Sequence, residues 1–245
     1  MPTVTCDGTG NLDDGYLVKL GSDASAVRNA TTSTSWGNTA TIHMMNHGKV
    51  FGNTYLNRVL VNFDLSGNDD SGSSLSGNTV DSGTITVVSY VNLSGFSSIQ
   101  AQTSNLLYIC KVDAGSSFDT GDMDSLDGWV SSGSYDGEAT VYGTANEAAN
   151  STLTFTLSSE CVGDINSAIS AGEDFSVMVL TQDDFLSNIG SGGIGTPSTT
   201  SGIFANFDGL RLYSVEADAT KAFKLNLTYG AAAVTHSANF FGANF

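Results

Sequence analysis

Apolar residues recur at every second position in three stretches of this chain. In RVLVNFDL, Val59, Val61, Phe63 and Leu65 share one side, while Leu60, Asn62 and Asp64 share the other. In STLTFTL, Leu153, Phe155 and Leu157 alternate with Thr152, Thr154 and Thr156. In FKLNLTY, Phe223, Leu225, Leu227 and Tyr229 oppose Lys224, Asn226 and Thr228. Successive side chains of a strand point to opposite faces, so this period predicts antiparallel strands with one face in a core and one in water. TITVVSY at 84–90, LLYICKV at 106–112 and FSVMVL at 175–180 are apolar on both sides and predict strands in the middle of a sandwich. Fainter strands are expected at 15–20, 38–44, 139–142, 202–206 and 209–213, each bounded by Gly, Asn, Asp or Ser.

One stretch changes period. In SSECVGDINSAISAG, Val162, Ile165, Ala168 and Ile169 recur at helical spacing, Ser158 or Ser159 can cap the amino end and Gly172 can stop the helix. The expected architecture is all-β: a single antiparallel β-sandwich or jelly roll of about a dozen strands with one short helix. It occupies residues 1–229. Three stretches at 66–78, 113–137 and 187–202 read as loops, the middle one long enough to expect a function of its own. Residues 230–245 follow the last strand as an extension rich in small residues and phenylalanine, GAAAVTHSANFFGANF. Phe240, Phe241 and Phe245 need a groove. The expected groove belongs to a neighbouring subunit, which makes the extension an assembly arm, and the alternative is the chain's own sheet. An extended segment of this length reaches up to about 50 Å.

With the strands placed, Asp14 and Tyr16, then Phe63, Asp64 and Leu65, then Tyr213, Ser214, Glu216, Ala217, Thr228 and Tyr229 form a series. It resembles the DNRLRE-type jelly-roll domain over residues 13–229. That family has an Asp-aromatic first strand, an apolar strand closing on Phe-Asp-Leu, and a Tyr-Ser-x-Glu-Ala turn before a strand ending in Thr-Tyr. The chain departs from it at Asn62, where the family has arginine, in the family's central Trp-containing segment, and in lacking a proline before the last strand. The resemblance implies a jelly roll. Relatives of this kind serve as carbohydrate-binding modules, surface adhesins and phage structural proteins.

Composition narrows the setting. Lys and Arg total 8 against 25 Asp and Glu, a net charge of -17, which repels nucleic-acid phosphates and anionic lipid. No stretch approaches the roughly 18 apolar residues of a spanning helix, so membrane insertion is not expected. The opening MPTVTCDGTG has neither the basic nor the apolar region of a secretory leader, so the expectation is either that a leader has been removed and Met1 added or that the chain reaches a virion or an extracellular surface by another route. Cys6, Cys110 and Cys161 form no Cys-x-x-Cys pair. Cys110 and Cys161 read as small core hydrophobes, with one disulfide as the alternative.

Candidate chemistry is sparse. His43 and His47 lie four apart in HMMNH, but on a strand that separation is about 13 Å, too far to share a metal. Asp13 with Asp14, Asp69 with Asp70, and Asp183 with Asp184 could pair as acid and base, yet they sit in turn-like sequence where solvated charge is expected. No nucleophile elbow is present, and the chain is not expected to be an enzyme. Asp119, Asp122, Asp124 and Asp127 crowd one short loop and are the candidate ligands of a structural Ca2+, the only cofactor expected. Trp129 and Tyr135, together with Trp36 and Tyr142, are candidates for a sugar-stacking platform. The function expected is a non-enzymatic structural protein of a virion or extracellular assembly, most simply a phage capsid-decorating or tail component. Its partners would be itself or other structural subunits. The alternative is a carbohydrate-binding module or adhesin, calcium-stabilised, with polysaccharide as partner.

Overall fold

The alternating stretches fold as antiparallel strands. The computed structural model describes residues 1–6, 14–37, 42–50, 53–90, 106–113, 118–128, 139–148, 150–186 and 207–230. Its strands are β1 (Thr3–Thr5), β2 (Gly15–Gly21), β3 (Ser35–Gly37), β4 (Ile42–Val50), β5 (Asn53–Phe63), β6 (Val80–Tyr90), β7 (Leu106–Lys111), β8 (Val141–Asn146), β9 (Thr152–Thr156), β10 (Phe175–Thr181), β11 (Phe207–Tyr213) and β12 (Lys224–Tyr229). The helices are α1 (Ala24–Arg28), α2 (Ser159–Ala171), α3 (Gln182–Phe185) and α4 (Val215–Asp218), with a 3-10 turn at Thr120–Asp124. Only α2 is foreshadowed by its sequence period. Ser158 Oγ accepts from the Cys161 amide, and Gly172 ends the helix in the left-handed region at φ 68°. The strand expected at 38–44 runs from Ile42 to Val50, and the one expected at 202–206 lies outside the described residues.

Two antiparallel sheets face each other. One runs β1-β12-β6-β9. The other runs β3-β2-β5-β10-β7-β8. Thr54 to Leu56 of β5 pair with both β2 and β4, while Val59 and Leu60 pair with both β2 and β10, so β4 and β10 share one edge of β5 in succession. β4 then pairs with β11, and β11 reaches the far end of β6 through Arg211 and Leu212, joining the two sheets at a corner. At the opposite corner β8 meets β9 without a ladder. There the Ser158 amide donates to the Tyr142 carbonyl at 2.7 Å, and a Cβ on Gly143 would lie 2.7 Å from the Thr156 carbonyl oxygen. Gly143→Ala is therefore expected to force this seam apart at a cost of about 1–3 kcal/mol, read as a lower denaturant midpoint with an unchanged slope.

The core has two compartments, which overturns one expectation. Val59, Val61 and Phe63 point between the sheets and meet Ile85, Phe155, Leu225 and the α2 residues Ile165 and Ile169. Leu60, expected to face water, points the other way into a second core with Leu17, Met178 and Cys110. That core is roofed by Val27 of α1, Met123 of the 3-10 turn and Phe185 of α3. β5 is thus buried on both faces. β6 shows the reverse correction: expected to be buried on both faces, it alternates, with Thr84, Thr86 and Val88 half exposed. β10 is buried on both faces, as its unbroken apolar run implied. All three cysteines are free and buried, which leaves no disulfide.

Candidate functional site

The acidic loop is built as a capped turn. Asp119 caps the 3-10 turn, accepting from the Gly121 amide at 2.5 Å, while Asp122 accepts from the Asp119 amide at 2.6 Å and from the Ser125 hydroxyl at 3.1 Å. Asp127 accepts from Thr140 Oγ1 at 3.1 Å. Burial raises the Asp124 carboxyl above the usual range, against a smaller lowering by the nearby Arg58 charge. These oxygens serve amides and hydroxyls. Among the described residues no group of three or more His, Cys, Asp or Glu is placed to hold a metal.

Under this loop lies a buried ion network. The Asp184 carboxylate accepts two bonds from Arg58, from Nε at 2.7 Å and from Nη2 at 2.8 Å. Arg58 also donates to the carbonyls of Met123 and Arg28, and Arg28 donates to the carbonyls of Asp184 and Phe185. All three side chains are at most 2% exposed. The Arg58 bonds tie β5 to α1, α3 and the 3-10 turn, and the Arg28 bonds tie α1 to α3, so the network is a clamp that sets these pieces onto the outer core. Asp184 was expected as a solvated charge, and the structure corrects that.

A second buried node joins the chain's first segment to the linking strands. His43 Nε2 lies 2.5 Å from Asp14 Oδ2, with both side chains 0% exposed, and the Val215 amide donates to the same oxygen at 3.3 Å. Burial, then the charge of Asp14 and its hydrogen bond, push the Cys6 thiol far above its ordinary range. Such a thiol is inert as a nucleophile. Asp14 is thus a structural partner and not a solvated acid. His43 and His47 do lie on a strand, β4, opposite Leu212 and Asp208 of β11.

Of the expected aromatic platform, Tyr142 is 2% exposed and donates its hydroxyl to Asp164. Trp36 packs edge-on against Phe118, with ring centroids 6.0 Å apart. Tyr142 is thus part of the interior, and Trp36 is half-buried against the outer core. Trp129 and Tyr135 lie outside the described residues, as do Phe240, Phe241 and Phe245.

The outward face of the β1-β12-β6-β9 sheet went unrecognised in the sequence. Ladder register sets Thr3 beside Asn226, Asn226 beside Thr84, and Thr84 beside Thr156. The next row sets Thr5, Lys224, Thr86 and Thr154 side by side. Thr228 and Ser82 extend the face at one end, and Val88 and Thr152 at the other. Intervening residues such as Val4, Leu225, Ile85 and Phe155 point into the core. With strands about 4.8 Å apart and about 3.3 Å per residue, the face measures about 14 Å across the strands and about 20 Å along them. Lys224 carries the one charge on these rows. Asn226 is tied sideways, accepting from Thr3 Oγ1 at 3.2 Å and donating to Thr86 Oγ1 at 3.1 Å. The free edge of β1 is closed by Asp70, whose amide donates to the Thr3 carbonyl and whose carboxylate accepts from the Thr5 amide at 3.0 Å and hydroxyl at 2.7 Å. The signal was present as Thr-x-Thr in TVT, TIT and TLTFT, but only the register places these segments side by side.

At the end of β12 the Gly230 amide donates to the Thr79 carbonyl at 3.0 Å, which holds Gly230 beside the start of β6. No helix among the described residues is long and apolar enough to cross a membrane. No family model matches the chain, and no curated protein matches it.

Proposed function

We propose that this protein is a non-catalytic structural component that assembles, with itself or with other structural subunits, into a virion or an extracellular structure. A capsid-decorating or tail component of a phage is the simplest such setting. The observation that carries the reading is the threonine-rich face. In a chain of net charge -17, its rows hold hydroxyls, methyls, one amide and one lysine. The one carboxylate at its margin, Asp70, is already bonded to the Thr5 amide and hydroxyl, and desolvated unpaired charge is what most opposes association. The hydroxyls can exchange water for partner groups, and the methyls add apolar contact.

The face is small. An area of about 14 Å by 20 Å falls well below the roughly 800 Å² that each partner gives to a standard interface. Contact through it alone is weak, and repeated copies or an added segment must supply the rest. The extension at 230–245, with Phe240, Phe241 and Phe245, is that added segment in this reading.

Light scattering on the full chain and on a chain ending at Gly230 tests it. The full chain is expected to show a molar mass above 25.3 kDa that rises with concentration, and the shortened chain to fall towards the monomer. A monomer in both cases at every concentration overturns the reading.

A further inference from the structure

We infer that assembly through the threonine face is heterologous: Lys224 on one copy engages carboxylates on a different surface of the next copy, so that copies join head to tail and not face to face. The inference rests on the assembly reading and adds to it a geometry and a partner, a second copy of this chain.

Charge on this side of the molecule differs from the rest. Of the 8 Lys and Arg, Arg28 and Arg58 are buried in the clamp, and Lys111 is bridged to Asp164 at 3.1 Å. Three of the others follow one another along the outward side of β6. Lys224 lies beside Thr86, the Lys221 carbonyl accepts from the Val88 amide at 2.9 Å, and Arg211 lies beside Tyr90. Ser89 and Leu212, which alternate with Tyr90 and Arg211, are buried, so Tyr90 and Arg211 continue the outward face. The Lys221 ammonium sits 4.7 Å from the centre of the Tyr213 ring, and that ring lies 5.7 Å from the ring of Tyr90. Lys221 is bridged to Asp218 at 2.8 Å, whereas Lys224 has no ion pair among the described residues. In a chain of net charge -17, the group that complements this ammonium is a carboxylate, and every further copy brings an excess of them.

Symmetry decides how two copies can meet. An isologous pair sets the same patch against itself. Lys224 lies half a strand spacing and half a row spacing from the middle of the face, a distance of about 4 Å. A two-fold axis through that middle therefore brings the two lysines within about 8 Å of each other along the interface, with no carboxylate on the rows to separate them. Head-to-tail contact meets no such repulsion. It also leaves the face of the last copy open, so growth continues past the dimer into a ring or a filament.

Sedimentation velocity on the full chain and on its Lys224→Gln, Lys224→Arg and Lys19→Gln variants, over a range of concentrations, is the test. Lys19 lies on β2 in the other sheet, and its change alters the net charge by the same amount. The parent is expected to form species larger than a dimer. Lys224→Gln should weaken association about fivefold, the upper value for an ion pair open to solvent, while Lys224→Arg and Lys19→Gln associate like the parent. That gap should close at about 1 M salt, where the screening length is about 3 Å. Face-to-face pairing has the opposite sign: Lys224→Gln relieves a repulsion and tightens a species that stops at the dimer. A parent that stops at the dimer, tighter or unchanged association for Lys224→Gln, or an equal loss for Lys19→Gln overturns the inference and leaves assembly standing. A parent that is monomeric at every concentration overturns both.

Discussion

Asp184→Ala is expected to be among the most damaging single substitutions in this protein, lowering stability by about 3–5 kcal/mol. Asp184 is 0% exposed and accepts from Arg58 on both oxygens, with Arg28 Nε 3.6 Å from Oδ1. Removing it takes from Arg58 the carboxylate that accepts two of its bonds, and from Arg28 a carboxylate 3.6 Å away, inside the outer core. An uncompensated buried charge costs far more than the pair itself contributes. At about 2–4 °C per kcal/mol for a chain of this size, the melting temperature should fall by roughly 10 °C. Asp184→Asn keeps an acceptor at the site and should lose less. A change within about 0.5 kcal/mol for Asp184→Ala, the range of an ordinary surface substitution, would show that the clamp does not hold the roof on.

The second large effect is expected at Leu60. Leu60→Ala should cost about 2–5 kcal/mol, comparable to Val61→Ala or more, because both neighbours are 0% exposed on opposite faces of β5. If β5 had one face in water, the Leu60 change would be nearly silent while the Val61 change would not. Denaturant unfolding of the two variants side by side distinguishes these cases.

That pair of residues shows where the sequence was legible and where it was not. Local periods sufficed for β9 and β12, whose apolar positions face one core and whose threonines and asparagine face out. They sufficed also for α2, where both caps and the apolar stripe are written within one short segment. β5 failed because Asn62 reads as a solvent residue, yet it is buried with its amide bonded to Ser176 and Asp174. Arg58 likewise reads as exposed, and nothing near it in the chain announces Asp184, 126 positions away. The roof over the outer core consists of helices of one turn, too short to show a period.

The acidic loop carries a capping role that the sequence reading did not draw. Asp119 with Asp122 is the spacing of a capping pair, in which each carboxylate serves the other's end of the turn. The calcium expectation rested instead on the four carboxylates of Asp119, Asp122, Asp124 and Asp127 within one short loop. The threonine face was half visible. The outward threonines of each strand could be read, but their alignment across β1, β12, β6 and β9 depends on pairings between residues as distant as Thr3 and Asn226.

Assembly through that face is the central claim, and one measurement addresses it most directly. Thr154 and Thr228 are exposed on it, so Thr154→Glu with Thr228→Glu places two carboxylates there with little consequence for folding. Sedimentation velocity of the parent and this variant should show concentration-dependent species above the monomer for the parent, and a single monomeric species with unchanged melting for the variant. The same distribution of species for both proteins would contradict the account.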